Sequence, residues 1–363
     1  MSDFLPIRHL EYVEFYVGNA KQTAYFFTYA MGFKPVAYSG LETGIRDRVS
    51  YVVEQGDIRI VISGALTETH PIAEFVRTHG DGVKDIAMRV DSVDAAFQTA
   101  VSRGAVPVME PTTVSDEYGE YRKASIQTYG DTIHSFIEKD NYKGLFAPGY
   151  GPYTGQFQAT STGLVAVDHI VGNVELGKME EWVAYYQDVL GFTQFISFDD
   201  KDISTEYSAL MSKVMANGTG RIKFPINEPA QGKKKSQIQE YLDFYQGPGV
   251  QHMALLTHDI LHTVQELRNR GVEFLTVPDS YYEELRSRVG AIDEELDEIK
   301  RLNILVDRDD EGYLLQIFSK PVVDRPTFFF EIIQRKGAKG FGKGNFKALF
   351  EAIEREQERR GNL

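Results

Sequence analysis

The chain repeats itself, and this constrains its fold more than any other feature. Residues 82–108, GVKDIAMRVDSVDAAFQTAVSRGAVPV, align without a gap on residues 249–275, GVQHMALLTHDILHTVQELRNRGVEFL. Each stretch reads as an apolar strand, a helix of period 3.6 ending in Arg-Gly, and a second apolar strand. Gly104 and Gly271 stand where a left-handed backbone ends a helix. A second pair follows the same plan with a small difference in length: residues 10–38, LEYVEFYVGNAKQTAYFFTYAMGFKPVAY, and residues 167–198, VDHIVGNVELGKMEEWVAYYQDVLGFTQFISF. Four strand–helix modules, two in each half, therefore occupy a chain of 363 residues, a length suited to about two domains. Between the halves, residues 146–163 (FAPGYGPYTGQFQATSTG) are rich in glycine, proline and threonine and read as a linker. The expected fold class is α+β, with paired modules curling sheets around a cavity.

The repeat gives meaning to a histidine. His169 interrupts the β-branched run GLVAVDHIVGNV, where a lone imidazole is ordinarily a satisfied core residue. The aligned place in the second C-terminal module holds His252, and pairing by approximate twofold symmetry brings the two rings together. The equivalent positions in the N-terminal half are Tyr12 and Asp85, so that half is expected to keep the scaffold in a structural role. A carboxylate, Glu331, interrupts another apolar strand in RPTFFFEIIQRKG. Buried and alone it would be costly; either a cation or an ion pair with Arg335 relieves that cost.

Composition limits the choices. There is no cysteine, so thiolate zinc sites and Fe–S clusters are excluded and any metal is held by nitrogen and oxygen. Two histidines and a carboxylate suit non-haem Fe(II), although zinc hydrolases use the same ligand types. A formal charge of −14 argues against nucleic acid and anionic membrane. GKKKSQ (232–237) reads as a loop, and the C-terminal EREQERRG as a solvated helix face. The N-terminal residues lack the pattern of a signal peptide and no apolar run spans a bilayer, so a cytoplasmic protein is expected.

Many stretches together resemble a known family. Among them are GLETGIRDRVSYVV, QTYGDTIHSFIEK, VDHIVGNV, TEYSALMS, PINEPAQGKKKSQIQEYLDF, GVQHMAL, GYLLQIFSKPV, DRPTFFFEIIQR and GFGKGNFKALFEAIEREQERRGNL. Over nearly its full length the chain resembles the 4-hydroxyphenylpyruvate dioxygenases of the vicinal oxygen chelate superfamily. The resemblance implies two domains, 1–155 without metal and 156–363 catalytic, each of paired βαβββ modules. It implies one Fe(II) per chain on His169, His252 and Glu331. Pocket polar groups then fall on Ser212, Asn227, Gln237 and Gln251, and aromatic walls on Phe318, Phe329 and Phe346. The implied reaction takes 4-hydroxyphenylpyruvate and O₂ to homogentisate and CO₂ in tyrosine catabolism, in a homo-oligomer, dimer or tetramer.

Each pocket residue also has a local reading. Gln251 precedes His252 on one strand and should face the opposite side unless the strand bulges. Asn227 lies between Pro225 and Pro229, and Gln237 opens a helix with Ser236 as its cap. In the tail, glycines 337, 340, 342 and 344 precede Phe346, Leu349, Phe350 and Ile353 at helical spacing. A helix on a glycine hinge can act as a lid that expels water. Alternatives are hydroxymandelate synthase, for which the large Phe318 is unfavourable, an extradiol dioxygenase or metal-dependent isomerase of the same superfamily, and a non-catalytic binding module.

Overall fold

A computed structural model describes residues 4–198, 209–230 and 232–362. Thr205–Ser208 of the TEYSALMS stretch and Gln231 lie outside the described residues. The first module comprises β1 (Ile7–Tyr16), α1 (Ala20–Tyr29), β2 (Lys34–Ser39), β3 (Arg48–Gln55) and β4 (Ile58–Ala65). After α2 (Pro71–His79) comes the second: β5 (Gly82–Val90), α3 (Val93–Ser102), β6 (Pro107–Asp116), β7 (Gly119–Gln127) and β8 (Ile133–Glu138). The two-residue β9 (Gly151–Pro152) closes the N-terminal half.

The C-terminal half repeats the order. Its first module is β10 (Leu164–Asn173), α4 (Met179–Leu190), β11 (Thr193–Phe198), β12 (Ala209–Ala216) and β13 (Lys223–Ala230). Then follow α5 (Gln237–Tyr245), β14 (Gly249–Thr257) and α6 (Ile260–Asn269). The short helices α7 (Ser280–Glu283), α8 (Leu285–Val289) and α9 (Leu296–Leu302) precede β15 (Leu305–Arg308), β16 (Tyr313–Phe318), β17 (Phe329–Lys336) and the terminal α10 (Phe346–Arg359).

All four modules are βαβββ units. The first strand of each lies parallel to its last, and the two first strands of a half pair antiparallel at the centre of the sheet. The sheet orders are β6-β7-β8-β5-β1-β4-β3-β2-β9 and β11-β12-β13-β10-β14-β17-β16-β15. Module helices start at corresponding points: the side chains of Asn19, Ser92 and Asp259 accept hydrogen bonds from the N–H groups of Gln22, Ala95 and His262. Gly104 and Gly271, with φ of 105° and 88°, end α3 and α6.

Strand alternation divides the apolar residues into three cores. Val13, Phe15 and Val17 point to one side of β1 and join Ile170, Met253, Phe328 and Phe330 in a core shared by both halves and their helices. Tyr12 points to the other side, into an interior formed by the N-terminal sheet. The C-terminal sheet has a matching interior with Leu210, Val214 and Phe318, closed by Leu349 and Phe350 of α10.

Three expectations need correction. GVEFL is not a strand: Phe274 makes a single bridge to Ser319, and the insertion carrying α7–α9 delays the equivalent strand until β15. Residues 146–163 are packed rather than loose, since β9 pairs with β2, and Ser161 and Thr162 donate to Gln55. EREQERRG is not wholly solvated, because Glu354 and Gln357 are buried. Among the described residues no helix is long and apolar enough to cross a membrane.

Candidate metal centre and substrate pocket

Register assembles the centre. Ala254 on β14 pairs with His169 on one side and with Glu331 on the other, so these two side chains lie in one row across three strands. His252, two residues before Ala254, shares its face. The result is a buried cluster in which one donor atom from each of His169, His252 and Glu331 lies within 4.8 Å of the others. Glu331 Oε2 is 3.1 Å from His169 Nε2 and 3.4 Å from His252 Nε2.

Two β-bulges orient the imidazoles. Val167 pairs with Leu255 and His169 with Ala254, which leaves Asp168 as an extra residue. Val171 pairs with His252 and Gly172 with Val250, which leaves Gln251 extra on the facing strand. A bulged residue re-aims its side chain toward its neighbour's side of the sheet. His169 Nδ1–H accordingly donates to Asp168 Oδ1 at 2.7 Å, and His252 Nδ1–H to Gln251 Oε1 at 2.8 Å. In the neutral rings both Nε2 atoms then keep a lone pair aimed at Glu331, as metal-binding histidines require. The bulge condition on Gln251 is met, and Arg335 pairs with Asp168 rather than Glu331. Its Nε and Nη2 reach the two carboxylate oxygens at 2.7 and 2.8 Å.

Electrostatics fits a cation. Burial opposes the charge on Glu331, but the two histidines outweigh it and bring its pKa to about 2. For His169, burial is likewise outweighed by Glu331 and Asp168, which raise its pKa. Burial prevails at His252 and lowers it. A bound cation would compensate the buried carboxylate, and the oxygen–nitrogen donor set suits Fe(II) or zinc.

Around the cluster lies a cavity of about 80 Å³. All ten residues singled out in the sequence line it: His169, Ser212, Asn227, Gln237, Gln251, His252, Phe318, Phe329, Glu331 and Phe346. Ser212 and Asn227 are register partners on β12 and β13, and Asn227 Nδ2 lies 3.4 Å from Asn173 Oδ1. Pro225 and Pro229 flank the short β10–β13 pairing, which involves only Ile226 and Asn227 of β13. Gln237 opens α5, and Ser236 caps it by accepting from Gln239 N–H. Phe329 stacks on His252, with ring centroids 4.8 Å apart and planes at 20°.

The lining also includes Phe198, Gln316 and Phe341, which sequence reasoning missed. Gln316 lies two residues before Phe318 on β16, so strand alternation alone would have found it; its Oε1 is buried without a hydrogen bond. Phe341 sits in the glycine-rich segment and meets the His169 ring edge-on at 4.9 Å. Gly342 holds φ of 74° with its backbone against Gln316, too close for a Cβ. Over this segment α10 closes the pocket with Phe346, Leu349, Phe350 and Ile353.

Comparison with known proteins gives the family. Residues 3–147 match the family described as hydroxyphenylpyruvate dioxygenase, HPPD, N-terminal. Residues 166–317 match the glyoxalase/bleomycin resistance protein/dioxygenase superfamily. The chain is 50% identical to a 4-hydroxyphenylpyruvate dioxygenase of Yarrowia lipolytica, covering 98% of this chain and 94% of that one. It is also 50% identical to one of Danio rerio, covering 99% and 92%. A triple mutant of 4-hydroxymandelate synthase from Streptomyces coelicolor superposes with a TM-score of 0.86 at 33% identity, covering 97% of this chain and 99% of that one. The chain belongs to the 4-hydroxyphenylpyruvate dioxygenase family.

Proposed function

We propose that this protein is an Fe(II)-dependent enzyme that converts 4-hydroxyphenylpyruvate and O₂ to homogentisate and CO₂, with His169, His252 and Glu331 as the iron ligands. The observation that carries the reading is near-full-length identity of about half to relatives of that name, joined to a buried two-histidine, one-carboxylate cluster. The 4-hydroxymandelate synthase relative is less similar, at 33%. When bound, ferrous iron supplies the redox chemistry with O₂ and coordination positions for a 2-oxo acid.

The chain's own residues do the rest. Phe318 and Phe329 hold the aromatic ring, while Ser212, Asn227, Gln237 and Gln251 offer hydrogen bonds to its polar ends. Gln251 also fixes the His252 ring, so its substrate contact and its positioning role compete for one amide. The α10 lid excludes water, and Phe346 completes the aromatic wall from it. The cavity of about 80 Å³ is smaller than ordinary ligand pockets, and a shift of α10 would enlarge it.

The test is product assignment with Fe(II) and ascorbate. Homogentisate supports the reading; hydroxymandelate transfers the chain to the sister activity, and no turnover by iron-loaded protein overturns both. Alanine at His169, His252 or Glu331 abolishes iron retention and turnover. Full activity in any one variant removes that residue from the ligand set.

A further inference from the structure

The N-terminal half contains a cavity of about 350 Å³, within the size range of ligand sites. It lies on the same side of its sheet as the metal pocket does on the other, and several strand positions correspond. Tyr12 pairs with Ala87 and Ala87 with Ser135, as His169 pairs with Ala254 and Ala254 with Glu331. Even the bulges recur, at Glu11 and Lys84, where the C-terminal half has Asp168 and Gln251. Ser50 faces Ser63 as Ser212 faces Asn227, which puts Arg48 at the place of Leu210. Lys123 falls at the place of Gln316.

The chemistry at these places has changed. Lys123 Nζ donates to Asp85 Oδ2 at 3.0 Å and to the Tyr12 hydroxyl at 2.8 Å, and Ser135 Oγ donates to the same carboxylate at 2.6 Å. An ammonium thus stands where the other half gathers metal ligands. Lys123 is hydrogen-bonded; Arg48 has the charge of Glu14 near it. Its half-buried guanidinium lines the cavity and has no side-chain hydrogen bond or ion pair among the described residues. The surrounding walls are aromatic: Tyr12, Tyr16, Tyr121, Phe146 and Tyr150. Phe146 meets Tyr12 edge-on at 5.4 Å and Tyr150 at 4.8 Å, so the segment after β8 folds over the cavity.

We propose that this cavity is a second small-molecule site, which takes an aromatic carboxylate with its ring among the tyrosines and its carboxylate on Arg48. A guanidinium fork matches a carboxylate bidentately. Glu14 also lines the cavity and accepts from Ser63 Oγ at 2.6 Å; burial raises its pKa, and its repulsion falls harder on a dianion such as a phosphate ester than on a singly charged carboxylate. The site stands apart from the reaction proposed for the C-terminal half, because none of its residues touches the metal cluster.

The experiment is calorimetric titration of the full-length protein with 4-bromophenylacetate, followed by bromine anomalous diffraction from crystals soaked in it. Arg48→Leu, which restores the residue type of the C-terminal counterpart, weakens binding about tenfold or more, the usual effect of losing a charge-assisted pair. Arg48→Lys retains part of the affinity, and His169→Ala retains all of it, which separates this site from the metal pocket. Bromine density in the cavity of the N-terminal sheet, beside Arg48 and Tyr12, supports the proposal even if Arg48→Leu fails to fold. Density confined to the metal pocket, or unchanged affinity in a folded Arg48→Leu protein, overturns it.

Discussion

Asp168 orients the candidate metal centre without belonging to the cluster of His169, His252 and Glu331. Its carboxylate accepts from the His169 ring and from Arg335, whose guanidinium also donates to the carbonyl oxygens of Ala338 and Gly340 at the start of the lid segment. Ring orientation and lid anchoring therefore share one carboxylate. Asp168→Ala should lower metal affinity roughly 10–100-fold, as loss of a histidine's outer partner ordinarily does, with the three ligands intact; equilibrium dialysis against Fe(II) reads it. The N-terminal bulge residue, Glu11, makes a separate prediction. Burial opposes its charge, but His9, Lys139 and Arg59 outweigh that and bring its pKa to about 2 from 4.5. A carboxylate whose pKa is lower folded than unfolded stabilises above the unfolded value, and that stability is lost as pH falls through the folded one. Glu11 therefore contributes up to about 3 kcal/mol at neutral pH, lost between roughly pH 4.5 and 2. Acid unfolding of Glu11→Gln should lack this component, and an acid limb as steep as wild type would remove Glu11 from the account.

At the scale of elements, the four strand–helix modules were legible because the hydrophobic period recurs in the chain itself, with an Arg-Gly helix stop in two of them, while the full βαβββ unit was implied by the family resemblance. The bulges were not, since a bulge is a mismatch between two strands and neither strand alone displays it; hence Asp168 stood beside His169 without a role. The insertion bearing α7–α9 hid the second strand of the last module for a related reason, because an apolar GVEFL suits a strand but has only Ser319 to bridge. Helix α10 was legible as amphipathic, yet its latch was not. Arg360 and Asn362, beyond its last turn, reach the buried Glu240 of α5 at 2.8 and 2.9 Å, and Arg355 donates to Thr276 O at 2.7 Å. Arg360→Ala should favour the open lid by about tenfold, since a charge-assisted hydrogen bond is worth roughly 1.5–3 kcal/mol. Limited proteolysis of the tail should quicken by that factor and KM should rise, while metal affinity stays unchanged. Metal loss in step with the proteolysis would mean that the latch holds the centre rather than the lid.

At the scale of the molecule, the two halves depend on each other through the sheet faces that point away from their cavities. On β17, Glu331 faces the metal cluster, while Phe330 faces the other way and meets Phe27 of α1 at 5.9 Å. Phe15 of β1 meets Phe328 edge-on at 5.0 Å, so the strand that lines the N-terminal cavity with Tyr12 also supports the segment that enters β17. A polar staple adds to this: His79 of α2 stacks on Tyr245 of α5 at 4.4 Å, and Arg325 donates to the carbonyl oxygens of Thr78 in one half and Phe244 in the other. Helices covering one half thus finish the core of its partner, and neither half should unfold alone. Phe15→Ala opens a cavity in the shared core at a cost of about 3–5 kcal/mol, and this cost must fall on both halves together. Calorimetry of the variant should show one transition, displaced as a unit to lower temperature, with metal release at the same point. Two separated transitions, only the first displaced and the metal retained through it, would mean that the contact joins two independently stable domains.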